Sequence, residues 1–120
     1  MAHLVEKTET AARAQELVRR TIEYLRQRVR VDQAVLFGSH ARGDADQWSD
    51  VDLAVVSSDF SHLSRTRLMD LLVEVSLAVE PSVEVRPYTP KDLKEARPTN
   101  FFGHILAEGK VVYKDGEFLL

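Results

Sequence analysis

The stretch FGSHARGDADQWSDVDLAVV, Phe37 to Val56, decides how this chain is read. A short apolar run, Gln33 to Phe37, reads as a strand and ends in Gly38-Ser39. Ten residues separate Ser39 from Asp50, and Asp50 and Asp52 open a second strand-like run, Val51 to Val56. A glycine directly after a strand permits a tight turn and a close backbone approach. Ser39 then heads a helical turn, Ser39 to Arg42, whose free N–H groups suit a phosphate, with the hydroxyl as a further donor. For this cradle and the two carboxylates to meet one nucleotide, the end of the first strand must lie beside the start of the second. The two strands are therefore expected to be antiparallel neighbours, which a connection of this length allows.

The carboxylates follow from strand geometry. Side chains alternate between faces, so Asp50 and Asp52 point one way and Val51, Leu53 and Val55 the other. Two ionised carboxylates so placed repel, and either one takes up a proton or a cation sits between them. Mg2+ suits the second case, because it takes hard oxygen ligands and keeps positions for substrate phosphates. An Asp-x-Asp pair alone is common in loops and carries little. Glu84 adds to it: flanked by Val83 and Val85, it turns away from the core those valines enter. A helical crossover over residues 64–79 would make this third strand parallel to the second and bring Glu84 near Asp50 and Asp52. Three acids on one face call for about two divalent cations, the layout of two-metal phosphoryl transfer. Taken by itself, Glu84 reads as a solvent-facing residue on a one-sided sheet.

Outward from this centre, residues 8–30 read as a helix, with Ala14, Leu17, Val18, Ile22, Leu25 and Val29 at helical spacing and Thr8 or Thr10 as its cap. A second helix covers Ser64 to Val79, with Leu68, Leu71, Leu72 and Val75 on one stripe and Ser61 or Ser64 as its cap. Val83 to Arg86 is a third strand. Thr89 caps a short helix with Pro90 at its first position and Asp92 reaching back. Asn100 caps another, stopped by Gly109. Val111 to Tyr113 is a last short strand before Asp115-Gly116. This order predicts an α/β protein, a small mixed β-sheet with helices packed on it, as a single domain over residues 1–120.

Composition agrees. The 120 residues are 44% hydrophobic and 29% charged, with no cysteine, which excludes a disulfide scaffold and a thiolate metal site. No signal peptide or membrane-length apolar run is present, so a cytoplasmic protein is expected. The net charge of −3 is unevenly spread. Residues 1–30 carry seven Lys/Arg against four Glu, and residues 43–84 carry nine Asp/Glu against two Arg. The acidic segment suits a divalent cation rather than nucleic acid. Most of its acids, such as Asp59, Asp70 and Glu74, read as a solvated face.

Gly38-Ser39-x-Ala41-Arg42-Gly43 followed by Ser49-Asp50-x-Asp52-Leu53 resembles the signature of the polymerase β-like nucleotidyltransferase superfamily. More narrowly it resembles the minimal nucleotidyltransferases (MNT), small proteins often encoded beside a HEPN-domain partner as a toxin–antitoxin pair. The resemblance runs from about residue 10 to residue 113. It implies that Gly38 and Ser39 hold the β- and γ-phosphates of ATP, and that Asp50 and Asp52 bind two Mg2+ ions. It places Glu84 as the third metal-binding and catalytic carboxylate, where the family often has Asp. Arg42 would touch phosphate or brace the loop. His40 falls at a variable position, and His3, His62 and His104 lack metal-ligand spacing. Trp48 reads as a loop cover ahead of a residue that stacks on a base or a partner, and Phe101, Phe102, Ile105 and Leu106 as core or a partner contact.

The resemblance implies an Mg2+-dependent antitoxin that moves AMP from ATP to a tyrosine hydroxyl of a HEPN-type toxin. Larger relatives attach a second domain that holds the acceptor. After residue 113 little chain is left to build one, so the acceptor surface is expected from a partner or a second copy, as a hetero-oligomer or homodimer. Two other readings stand beside it: neutralisation of the partner by occlusion alone, and a subunit that modifies an antibiotic hydroxyl.

Overall fold

The structure, a computed structural model, describes residues 2–120, with side chains from Leu4 onward; the side chain of His3 lies outside them. Gln33–Phe37 forms β1 and Val51–Val56 forms β2. They pair antiparallel, with Phe37 opposite Asp52 and Gln33 opposite Val56. Ser39–Arg42 is a one-turn helix, α2, at the mouth of β1. After a 3-10 turn at Ser58–His62, α3 (Arg65–Ala78) crosses back over the sheet. It delivers β3 (Val83–Tyr88) parallel to β2, with Glu84 opposite Asp52. Two short helices, α4 (Pro90–Lys94) and α5 (Phe101–Glu108), precede β4 (Lys110–Lys114), which pairs antiparallel with the other side of β1. A two-residue strand, β5 (Glu117–Phe118), completes a mixed five-stranded sheet in the order β3-β2-β1-β4-β5.

Both faces of the sheet are covered. On one face the N-terminal helix α1 (Ala2–Arg26) and α3 pack on Ala34, Val51, Leu53, Val55 and Val83, with Leu17, Val18, Ile22 and Leu25 from α1 and Leu71 and Val75 from α3. On the other, α5 lays Phe102 and Ile105 over Val35, Ala54 and Val56. β2 thus alternates Val51, Leu53, Val55 towards α1 and α3, and Asp52, Ala54, Val56 towards α5. The sheet is thus not one-sided, yet Glu84 is exposed at its uncovered end, as it reads when taken by itself. The Asp52 face is roofed by α5 along part of its length and open at the row of Asp52.

Local chemistry sets the element boundaries. The Ser64 side chain accepts from the Arg67 N–H and starts α3, so Ser64 and not Ser61 is the cap. Thr89 and Asp92 form a reciprocal capping box at α4, and the Asn100 side chain accepts from the Gly103 N–H at α5. Pro87 lies in β3, which tolerates a missing donor because β3 is an edge strand. The first helix departs from expectation. It is already helical at Ala2 and ends at Arg26. Thr8 and Thr10 therefore lie inside it, and the Thr8 hydroxyl donates back to the Leu4 carbonyl instead of capping. Nothing between Ala2 and Thr8 breaks a helix, whereas beyond Arg26 the Arg30 N–H leaves for the Asp59 carboxylate. Asp59 is thus a structural acceptor rather than part of a solvated face. β5 is also absent from the sequence reading; it exists because Asp115 and Gly116, both at positive φ, turn the chain back onto β4.

Candidate active site

The open row of the sheet gathers the residues singled out in the sequence. Asp52 sits in the middle, with Phe37 beside it on β1 and Glu84 beside it on β3. Asp50 lies one residue before β2, and α2 begins directly after Gly38. Gly38 is fixed there twice over. Its backbone has φ 75° and ψ −152°, a region that side-chain-bearing residues rarely adopt. A Cβ on it would also stand 2.3 Å from Asp52 Oδ2. The turn that starts α2 is therefore pressed against the Asp52 carboxyl, and cradle and carboxylate form one unit.

Within α2 the N–H groups of Ala41 and Arg42 both return to the Gly38 carbonyl, at 3.1 Å each. The first N–H groups of a helix have no acceptor inside it, which leaves the Ser39 end of α2 as the place to receive an anion. Arg42 pairs with Asp44 at 3.3 Å across the Gly43 turn. Both are exposed, so the pair braces the loop weakly. The loop that follows is tied by Asp46. Its Oδ1 accepts from the Trp48 N–H at 2.8 Å and from the Ser49 hydroxyl, while its own N–H donates to Ser49 Oγ at 2.9 Å. Trp48 is 82% exposed on this loop, so it covers nothing in the chain, contrary to the expectation for it.

Electrostatics converge on Asp52. Burial raises its pKa first, and the charges of Glu84 and Asp50 raise it further. A hydrogen bond shared with Glu84 acts in the same direction, while His40 opposes the rise. Asp52 thus holds its proton to higher pH than an ordinary aspartate, and a cation among these acids would offset the rise. Among the described residues no three His, Asp or Glu side chains are grouped so as to hold a metal ion by themselves. The donor set is nonetheless of the kind Mg2+ takes, all hard carboxylate oxygens with one carboxyl forced towards its protonated form, and Mg2+ draws further ligands from substrate phosphates.

The structure brings Gly38, Ser39, Asp50, Asp52 and Glu84 to one end of the sheet, with Arg42 one helical turn away. It adds four residues that the sequence reading did not place at the site. His40 lies between the cradle and the loop, its Nε2 3.5 Å from the Ser49 carbonyl. Arg86, two residues beyond Glu84 on the same face, lies 4.5 Å over the Phe101 ring. Phe101 in turn meets Phe37 edge to face at 6.3 Å. Arg86, Phe101 and Phe37 therefore wall the open row. The half-exposed Phe101 was read with the buried Phe102 and Ile105, because two adjacent phenylalanines give no sign of which one the helix turns outward.

Residues 19–118 match the family described as polymerase beta, nucleotidyltransferase. The chain belongs to this nucleotidyltransferase family. Two proteins of Methanocaldococcus jannaschii, both named as candidate protein adenylyltransferases, are similar to it. One is 31% identical over 72% of this chain and 82% of its own length. The other is 27% identical over 72% of this chain and 93% of its own length. Among solved structures, a candidate nucleotidyltransferase from Sulfolobus solfataricus has the same fold, with a TM-score of 0.71 at 18% identity over 96% of this chain and 95% of that one. A chain of the complex between a tri-AMPylated Shewanella oneidensis HEPN toxin and its MNT antitoxin superposes with a TM-score of 0.53 at 18% identity, over 85% and 73% of the two chains. A chain of a toxin–antitoxin complex with AMP-PNP gives a TM-score of 0.54 at 20% identity, over 81% and 73%. These structural likenesses establish the fold, and membership of the nucleotidyltransferase family rests on the sequence matches. Among the described residues no helix is long and apolar enough to cross a membrane.

Proposed function

We propose that this nucleotidyltransferase transfers AMP from ATP to a tyrosine hydroxyl of a HEPN-type toxin, and so acts as the antitoxin of a pair. The observation that carries the reading is the contact of Gly38 with Asp52, which joins a phosphate cradle to the carboxylate row containing Glu84. The protein as acceptor is supported by the names of the two archaeal relatives, and the toxin by the AMPylated complex that shares the fold.

The residues divide the work. Gly38 and Ser39 hold the β- and γ-phosphates at the start of α2, and Arg42, once released from Asp44, reaches them from the outer side of the turn. Asp50, Asp52 and Glu84 would hold Mg2+. Bound there, the ion supplies charge neutralisation for the triphosphate and lowers the pKa of the attacking hydroxyl. Glu84 lies at the β3 end of the row, away from the cradle, and takes the acceptor proton. The phenolic oxygen forms its bond to the α-phosphorus as the bond to the bridging oxygen of pyrophosphate breaks. Pyrophosphate leaves on the Gly38-Ser39 side, and the proton leaves through Glu84. A P-loop phosphotransferase would instead place a lysine on the phosphates in a Gly-Lys-Ser/Thr loop, and the sequence has none.

ATP labelled at the α-phosphate should mark the partner protein on tyrosine, with a mass gain of one or more AMP units, and γ-labelled ATP should leave it unmarked. Transfer of the γ label refutes the reaction. No transfer of either label, with neutralisation intact in an Asp52→Asn variant, establishes occlusion instead.

A further inference from the structure

Arg86 is a cation with no acid of its own. It is exposed on β3, two residues beyond Glu84 and on the same face. Across the strand pair, Asp52 stands opposite Glu84 and Ala54 opposite Arg86. An arginine so close to two carboxylates ordinarily pairs with one of them. Among the described residues every ion pair is made by other side chains. The arginines whose guanidinium groups donate hydrogen bonds there are also others.

What Arg86 touches instead is an aromatic ring. Its guanidinium lies 4.5 Å over Phe101, and Phe101 meets Phe37 at 6.3 Å. Phe37 is on β1 and Arg86 on β3, the two neighbours of β2. The Phe101 ring therefore bridges above β2, where the face carries Asp52 and Ala54. The ring is held in place from behind. Phe101 is the first residue of α5, whose start is fixed by the Asn100 cap and by the stacking of Phe102 on Tyr88 at 3.9 Å. A guanidinium stacked by its flat face keeps its N–H edge free, and that edge is a fork that matches phosphate oxygens.

Stacking also keeps the charge off the acids. A guanidinium bonded to Asp52 or Glu84 would occupy oxygens that a divalent cation needs. Held on Phe101, it leaves them free and stays beside them. A free cation next to a row of free carboxylates points to one anionic ligand held by both, directly by the arginine and through a metal ion by the acids. The cradle at Gly38-Ser39 lies at the β1 end, so a triphosphate seated there reaches the Asp52 row with its α-phosphate. We propose that Arg86 binds the α-phosphate of ATP, donating from its N–H edge to the non-bridging oxygens, with Phe101 as the platform that positions it. This rests on the reading of Gly38-Ser39 as the β- and γ-phosphate cradle, and it is independent of which hydroxyl accepts AMP. Pyrophosphate fills the cradle without meeting Arg86, whereas ATP meets both.

Calorimetry of the full chain in Mg2+, with ATP and inorganic pyrophosphate as probes, separates the two contacts. Arg86→Met should weaken ATP binding at least about tenfold, the loss of a hydrogen bond to a charged group. Its pyrophosphate affinity should move by less than about twofold at about 0.15 M salt, where exposed charges more than about 8 Å apart are screened. Pyrophosphate binding also reports that the variant is folded. Arg86→Lys keeps the charge but loses the fork and the flat face, and should fall with Arg86→Met. Phe101→Leu frees the guanidinium and should weaken ATP binding by a smaller factor, again with pyrophosphate unmoved. Ser39→Ala, in the cradle, should weaken both ligands. Equal losses for ATP and pyrophosphate in Arg86→Met, or an Arg86→Lys variant that binds ATP as the parent does, would overturn the proposal. An Arg86→Met variant that keeps its ATP affinity but loses its complex with the acceptor protein would overturn it too, and give Arg86 to that protein. The expected pattern in a parent that marks no protein would support Arg86 and overturn the acceptor alone.

Discussion

Replacing Gly38 by alanine tests the contact on which the site rests. The backbone there has φ 75° and ψ −152°. Holding a side-chain-bearing residue in such a region costs about 1–3 kcal/mol. The new Cβ would also stand 2.3 Å from Asp52 Oδ2, and ordinary contact begins near 3.4 Å. The carboxyl must therefore retreat by about 1 Å, a misplacement of the size that lowers a rate about 100-fold. For a domain of this length 1 kcal/mol moves Tm by about 3–6 °C, so Gly38→Ala should lower Tm by about 5–15 °C and nearly abolish AMP transfer. The two causes separate in a double-mutant cycle read by denaturant unfolding. In an Asp52→Ala background the clash is gone while the backbone strain remains, so Gly38→Ala should cost less there by about 0.5–1 kcal/mol or more. An equal cost in both backgrounds refutes the contact, and an unchanged Tm with unchanged transfer refutes the strained turn as well.

Three further outcomes follow from the same geometry. Ser39→Ala should weaken ATP binding in calorimetry by about 1.5–3 kcal/mol, the worth of a hydrogen bond to a charged group; unchanged affinity would mean that Ser39 only shapes the turn. Asp52 holds its proton to higher pH in the native state than in the unfolded chain, because burial and then Glu84 and Asp50 raise its pKa above 3.8. Stability therefore falls as pH rises from that value through the raised one. In EDTA, Asp52→Asn should melt above the parent at neutral pH, with the gap closing in acid below the unfolded value; a variant that melts lower at neutral pH contradicts the repulsion. Binding of Mg2+ with ATP needs Asp52 ionised, so its affinity should start to fall on acidification at a higher pH than an ordinary aspartate dictates, and an affinity that stays flat down to about pH 4 would remove Asp52 from the metal site.

The sequence by itself determined the elements that local chemistry controls. Apolar runs bounded by Gly38, Pro81 and Gly109 marked the three main strands and α5, and Ser64, Thr89 and Asn100 marked three helix starts, because a cap is a bond between residues three apart. The site residues were legible for a similar reason: Gly-Ser and Asp-x-Asp on flanking strand ends constrain one another through the β1–β2 pairing. Tertiary structure decided the rest. The start of α1 has no capping signal to mark it, and β5 forms only because the Asp115-Gly116 turn returns the chain to β4. Periodicity could place Phe101, Phe102, Ile105 and Leu106 on a helix but not say that α5 roofs the Asp52 face, which puts Phe102 in the core and Phe101 at the open row with Arg86 and Phe37. The raised pKa of Asp52 is likewise a tertiary property. It needs Glu84, thirty-two positions away (84 − 52), brought opposite by a parallel crossover, and it needs burial that no single strand provides. Sequence names groups that bond to near neighbours; only the fold sets the distances between charges and the side of a helix left facing water.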